Sequence, residues 1–217
     1  MPASVNYQDK LAVLNLGDGE NRFSQAWLDT VEELLDDVER TRAQALVTTA
    51  TGKFYSYGLD LDWMTGNADQ VEGYFKRAQE LFSRILTFPM PTIAAINGHA
   101  FGAGAMLAIA HDYRVMRADR GYFCFPEVDV HVPFTPGMAA LIQAKSTPAA
   151  AITAMTTGHR YGGAEAHTVG YVYDTADEEH LVETAIDLVR PLSGKDPGTL
   201  GAIKSTMFAS VVAALHQ

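Results

Sequence analysis

Two five-residue runs, Ala45–Thr49 (ALVTT) and Thr92–Ile96 (TIAAI), set the strongest limit on what this chain can fold into. Neither carries the alternating charged or amide positions of a strand with one wet face, so both read as strands buried on both sides. Each is bounded by a break: Ala50-Thr51-Gly52-Lys53 follows the first, Pro89-Met90-Pro91 precedes the second, and Asn97-Gly98 ends it. Between them the apolar period changes to that of a helix. From Ser24 to Arg40 the set Trp27, Val31, Leu34, Leu35 and Val38 recurs at spacings of three and four, with acidic residues on what reads as a wet face. Residues 66 to 88 repeat the pattern with Val71, Tyr74, Phe75, Ala78, Leu81, Phe82 and Ile85. Alternation of this kind predicts β-α-β units, hence an α/β domain with a largely parallel sheet under helices.

The rest of the chain fits that plan. Lys10 to Leu16, Tyr113 to Met116, Tyr122 to Phe125 and Val128 to Val132 read as strands. Helices are expected at 102–111, 137–145, 148–156, 163–168, 178–191 and 197–215, gathering toward the C-terminus. A length of 217 residues suits one domain with a helical appendage, and 47% apolar against 19% charged side chains excludes disorder as the main state. Sixteen basic minus 26 acidic residues gives −10, the wrong sign for adhesion to nucleic acid or anionic lipid. One cysteine, Cys124, forms no internal disulfide and no cysteine-type zinc cluster. The uncharged stretch Ala100–Ala110 falls short of the roughly 18 residues that cross a bilayer. The start lacks a signal pattern, and Leu215-His216-Gln217 matches neither a prenylation box nor a peroxisomal address, so the cytoplasm is the expected compartment.

Three segments are candidates for chemistry. In Ile93–Asp112 a strand ends, Gly98 turns the chain, and Gly102-Ala103-Gly104 opens a helix whose first amides lack intrahelical acceptors. Those N–H groups and the helix dipole favour an oxygen that becomes anionic, although small residues at such a junction also serve close packing. A second Gly-bearing turn, Lys53-Phe54-Tyr55-Ser56-Tyr57-Gly58-Leu59-Asp60-Leu61, is placed to bring another amide beside the first, or is a plain packed loop. In the third, Phe125–Pro133, an extended chain would put Glu127, Asp129 and His131 on one face, either for acid/base or metal chemistry or as a solvated edge. The other histidines form no zinc motif, and neither a Gly-x-Ser-x-Gly elbow nor a phosphate-binding loop is present.

In this order the three segments resemble the crotonase superfamily, the enoyl-CoA hydratases and isomerases. The resemblance rests on Pro91 through Asn97-Gly98, Gly102-Ala103-Gly104 through Asp112, on Phe54 with Gly58-Leu59-Asp60-Leu61, and on Pro126-Glu127. His111 departs from it, standing where a small residue is usual. The resemblance covers residues about 8 to 208 and implies a crotonase-like ββα superhelix, with a core of repeated β-β-α units at 1–178 and a C-terminal helical segment at 179–217 for packing and oligomerisation. It also implies an acyl-CoA thioester substrate, no cofactor beyond the coenzyme A within it, no metal, no nucleic-acid or membrane partner, and a homotrimer or hexamer.

By the same resemblance the N–H groups of Leu59 and Ala103 bind the thioester oxygen, and Glu127 is the acid/base. Hydratases of the family use two glutamates to hold water. One of those positions here is Met106, so the resemblance implies a single-glutamate isomerase converting 3-enoyl-CoA to 2-enoyl-CoA, with Met106 excluding water. It looks most like the monofunctional isomerases of plant peroxisomes. Hydratase, hydrolase or decarboxylase chemistry, or acyl-CoA binding without catalysis, are the alternatives. Lys53, Phe54, Ser56, Tyr57, Gly58, Asp60, Leu61, Gly102 and Met106 are expected around the substrate. Lys10, Arg22, Lys53, Arg77 and Arg84 are candidate cations for the coenzyme phosphates, and Tyr55, Tyr57, Trp63, Phe75 and Phe134 for an acyl pocket.

Overall fold

A computed structural model describes residues 1–217. The chain runs β1 (Ser4–Gln8), β2 (Leu11–Asn15), α1 (Gln25–Arg40), β3 (Ala45–Thr49), β4 (Phe54–Ser56), α2 (Leu61–Gly66), α3 (Val71–Leu86), β5 (Thr92–Ile96), β6 (His99–Phe101), α4 (Ala103–Ala110), β7 (Tyr113–Arg117) and β8 (Phe123–Cys124). It continues with α5 (Pro136–Ala144), α6 (Pro148–Thr157), α7 (Gly163–Thr168), β9 (Asp174–Ala176), α8 (Leu181–Val189), α9 (Pro197–Met207) and α10 (Ala209–Leu215). Six strands form the main sheet in the order β1-β2-β3-β5-β7-β9, antiparallel only at β1, while β4, β6 and β8 form a small parallel sheet. Each of the pairs β3-β4, β5-β6 and β7-β8 gives one strand to each sheet before a helix follows, which is the repeated ββα unit implied by the resemblance.

The unbroken apolar runs have the expected cause, because both faces of the main sheet are covered. Ala12, Leu14, Leu46, Ala94, Ile96 and Met116 face the large core under α1, α3, α4 and α5. Their alternates Leu11, Val13, Ala45, Val47, Ile93, Ala95 and Val115 face a smaller core closed by Leu181, Ala185, Ile186 and Val189 of α8. The acidic face of α1 is less wet than its sequence implies. Arg77 of α3 pairs with Asp29 and Glu32, and Arg84 with Asp36 and Glu39.

Several boundaries differ from expectation. The helix expected at 66–88 begins only at Val71 as α3, and a separate short helix that was not expected, α2, precedes it, started by the Asp60 side chain accepting from the Trp63 N–H. The helix expected at 197–215 bends by 75° between α9 and α10. Val128–Val132 is not a strand. The Pro126 carbonyl accepts from the N–H groups of Asp129 and Val130, winding residues 127–131 into turns, with His131 at φ 58°. The short strands β1, β4, β6 and β9 carry no periodic signal, being five residues or fewer on edges or in the small sheet.

Candidate active site

Parallel strands β3 and β5 both end toward the small sheet, so the chain leaving each reaches the same place. The loop after β4 and the β6-α4 junction press together there. Gly58 has φ +88°, and a Cβ on it would lie 2.6 Å from the Phe101 carbonyl oxygen and 2.9 Å from the Ala103 nitrogen. Only glycine allows that approach. It brings the backbone of the Leu59 turn against the first amides of α4. The Leu59 N–H donates to nothing in the chain, whereas its neighbours are occupied: Gly58 N–H donates to Ser56 Oγ and Asp60 N–H to the Tyr74 hydroxyl. Ala103 is the first residue of α4, so its N–H has no intrahelical acceptor.

Leu59, Ala103 and Glu127 line one cavity of about 170 Å3, together with Tyr57, Leu61 and Gly102. Glu127 is 8% exposed, and its Oε2 is buried without a hydrogen-bond partner. Desolvation pushes the carboxyl up to about 7, and a hydrogen bond from its own backbone opposes this only in part. Gly102 makes room for it: a Cβ there would sit 3.2 Å from Glu127 Oε1, and φ +52° already selects glycine.

Other expected site residues take different places. Ser56 is fully buried, donating to the Asn21 carbonyl and holding the Gly58 N–H, so it shapes the turn. Asp60 caps α2 and lies 3.9 Å from Arg22. Phe54 packs edge-on to Tyr57 under the Lys53 ammonium, outside the cavity wall. Met106 is 1% exposed inside the large core and does not line the cavity, so water exclusion by its contact there is not what the packing provides. Of the aromatic candidates only Tyr57 reaches the cavity. Tyr55 is buried against Thr48, and Trp63, Phe75 and Phe134 pack on the core. Among the candidate cations, Arg22 stacks over the Tyr57 ring, whereas Arg77 and Arg84 are consumed by α1, and Lys10 sits at the far, N-terminal end of β2.

The structure adds residues that sequence spacing did not assign to the cavity. Phe101, Cys124, Asp129, Val130, Val132 and Arg160 also border it. Cys124 is a buried thiol pushed up to about 12 and donates to the Gly158 carbonyl, so it stays protonated. Arg160 arrives from well beyond the third segment, Phe125–Pro133, brought in by the neighbouring bridge Phe123–Tyr161, a separation in sequence that no local motif covers. Asp129 reaches the rim because the 127–131 turn, not a strand, sets its direction, and His131 on the same turn does not line the cavity. His111 proves structural. Its Nδ1 contacts the Leu107 carbonyl at 2.8 Å, its Nε2 lies 2.9 Å from Thr48 Oγ1, and Thr48 meets the Tyr55 hydroxyl at 2.8 Å.

The sequence and the fold both have known relatives. The family model described as enoyl-CoA hydratase/isomerase matches residues 7–217. Enoyl-CoA delta isomerase 2, peroxisomal, of Arabidopsis thaliana is 38% identical over 190 residues, covering 82% of this chain and 79% of the relative. Enoyl-CoA delta isomerase 1, peroxisomal, of the same plant is 32% identical over 219 residues, covering 96% and 90%. The solved apo structure of a Mycobacterium tuberculosis enoyl-CoA isomerase superposes with a TM-score of 0.92 at 26% identity, covering 99% of this chain and 94% of that one. By the match along nearly its whole length, in sequence and in fold, this chain belongs to the enoyl-CoA hydratase/isomerase family.

Proposed function

We propose that this protein moves the double bond of a 3-enoyl-CoA thioester to the 2-position, with Glu127 as the one proton carrier. The observation that carries the reading is the Glu127 carboxylate, unpartnered at Oε2 and lifted to about 7 in the cavity that Leu59 and Ala103 also line. In the proposed reaction the Leu59 and Ala103 N–H groups hold the thioester oxygen. Glu127 removes a proton from C2, and the electron pair is delocalised onto that oxygen as an enolate. The two donors stabilise it more than the neutral carbonyl, which is the condition for acceleration. The same proton returns to C4 as the double bond moves to C2–C3, so atoms balance without water or a further cofactor. A carboxyl near 7 suits both halves, being ionised often enough to accept and acidic enough to return the proton.

Relatives named enoyl-CoA delta isomerase support this choice over water addition. So does Met106 at the position where hydratases of the family are expected to carry their second glutamate. Asp129 at the cavity rim is the one observation favouring a second reading, in which it and Glu127 together activate water. The deciding assay follows formation of the conjugated 2-enoyl thioester from 3-enoyl-CoA substrates of several chain lengths, and in parallel hydration of 2-enoyl-CoA. Isomerisation lost in Glu127→Gln while saturated acyl-CoA still binds is the expected result. Undiminished turnover in that variant would remove Glu127 from the mechanism.

A further inference from the structure

At the opposite end of the main sheet, where β5 and β7 begin, lies a second cavity of about 360 Å3 between Pro91, Asp112, Tyr113 and the α8-α9 connection. Five-residue strands separate it from the candidate active site by about 16 Å at about 3.3 Å per residue. Its volume lies within the roughly 300–1,000 Å3 typical of small-molecule sites. Three lysines, Lys145, Lys195 and Lys204, face it with a single carboxylate, Asp112. That carboxylate is already spent. Lys204 Nζ is 2.6 Å from Asp112 Oδ2 and 2.8 Å from the Met90 carbonyl, and the Thr92 N–H donates to the same Oδ2. The Lys145 and Lys195 ammonium groups have no acidic partner in the chain, in a protein of net charge −10. Lys145 lies 5.3 Å from the Phe208 ring. Burial, and secondarily the Arg114 guanidinium, pull its amine down to about 8, with Asp112 opposing and Lys204 adding to the effect.

The remaining wall is apolar. Leu192, Leu200, Ile203, Met207 and Phe208 form it, with Ile203 50% and Met207 67% exposed on α9. A cationic floor beside an apolar wall fits a ligand with both characters, because a small inorganic anion leaves the wall wet and a neutral hydrocarbon leaves the ammonium groups unpaired. We infer that this cavity is a ligand site, separate from the active site, for an amphiphilic carboxylate: the head group pairs with Lys145 and Lys195, and the alkyl chain lies along Leu200, Ile203 and Met207 of α9.

The test is calorimetric titration of the full chain with decanoate, with decanol and inorganic phosphate as probes that keep only one of the two characters. Decanoate is expected to bind once per chain and more tightly than either control. The double variant Lys145→Gln/Lys195→Gln should weaken decanoate by about tenfold or more, leaving decanol binding and isomerase turnover as in the parent. Lys204 is left intact in this variant, since it ties α9 to β5 and β7. Ile203→Asp, at a half-exposed position, should weaken both decanoate and decanol and gives a second, independent readout if the double variant folds poorly. Decanoate binding that survives both changes, or that is abolished by Glu127→Gln, places the ligand elsewhere and overturns the inference. So does a sedimentation mass that falls in the double variant while the parent binds no decanoate, which would make this face a contact between copies.

Discussion

Replacing Glu127 by Gln should stabilise the fold, and the gain should depend on pH in a direction opposite to ordinary acid denaturation. Glu127 rises from an ordinary 4.5 to about 7 in the folded chain because its carboxyl is desolvated in the cavity. Between those values the folded state holds a proton that the unfolded state has released. Raising pH through the window therefore favours unfolding of the parent, and below it the parent suffers no penalty. At about 1.4 kcal/mol per pH unit the full effect is about 3 kcal/mol, present above about pH 7 and gone below about pH 4.5. An amide at this position does not titrate. The stability of Glu127→Gln relative to the parent should thus grow by about 3 kcal/mol from about pH 4.5 to about pH 7 and then level off. Any constant cost of leaving the amide unpaired offsets the whole curve without changing its shape. Urea unfolding of both proteins at a series of pH values measures the difference directly, because other titrating groups cancel. A difference that stays flat across the window would mean that Glu127 titrates as a solvated carboxyl. Burial would then not be what prepares it as a base.

Activity should follow the same group: kcat/KM for isomerisation is expected to rise with pH around an inflection near 7, and an inflection left near 7 in the residual activity of Glu127→Gln would point to another base. Asp129→Asn should keep isomerase turnover within about threefold, since proton transfer is assigned to Glu127; a loss of about a hundredfold would favour the two-carboxylate reading. Gly58→Ala forces a Cβ to 2.6 Å from the Phe101 carbonyl at φ +88°. It should cost about 1–2 kcal/mol in urea unfolding from strain alone and, by parting the two amides, lower kcat about a hundredfold with a smaller change in KM. His111 is buried and held down to about 3, first by desolvation, so the parent should lose stability as pH falls from about 6.5 toward about 3, where the unfolded chain gains a proton that the folded one refuses. His111→Gln should flatten that loss by about 1.4 kcal/mol per pH unit in the upper part of the window, measured by the same unfolding series.

The strands of the main sheet and the helices on it were legible because their signals are local. ALVTT and TIAAI announce burial on both faces, and α1 and α3 announce one apolar stripe each. The glycines at 58 and 102 were legible as turns, and the tight approach of Gly58 to Ala103 gives that legibility its physical content. The order of the three segments carried the resemblance, and the resemblance supplied the role of Glu127. Where the reading went astray, longer-range forces decided. One backbone acceptor, the Pro126 carbonyl, turned 127–131 away from the strand that its alternating valines suggest, and so carried Asp129 to the cavity and His131 away from it. Ion pairs to α1 withdrew Arg77 and Arg84 from any phosphate, a fate that only the packing of α3 against α1 could assign.

What the sequence determined by itself is the layered α/β plan and the turns where a site could form, since hydrophobic period, glycine conformational freedom and helix termini act within a few residues; the chemical type of the site is what the resemblance implies. Tertiary structure alone decided which groups share a space: Arg160 and Phe101 at the cavity, Met106 in the core instead of at its wall, His111 in a buried hydrogen-bonded chain with Thr48 and Tyr55. It also decided how hard burial presses on Glu127 and Lys145. Desolvation depends on everything packed around a group from distant parts of the chain, and no local pattern records that sum.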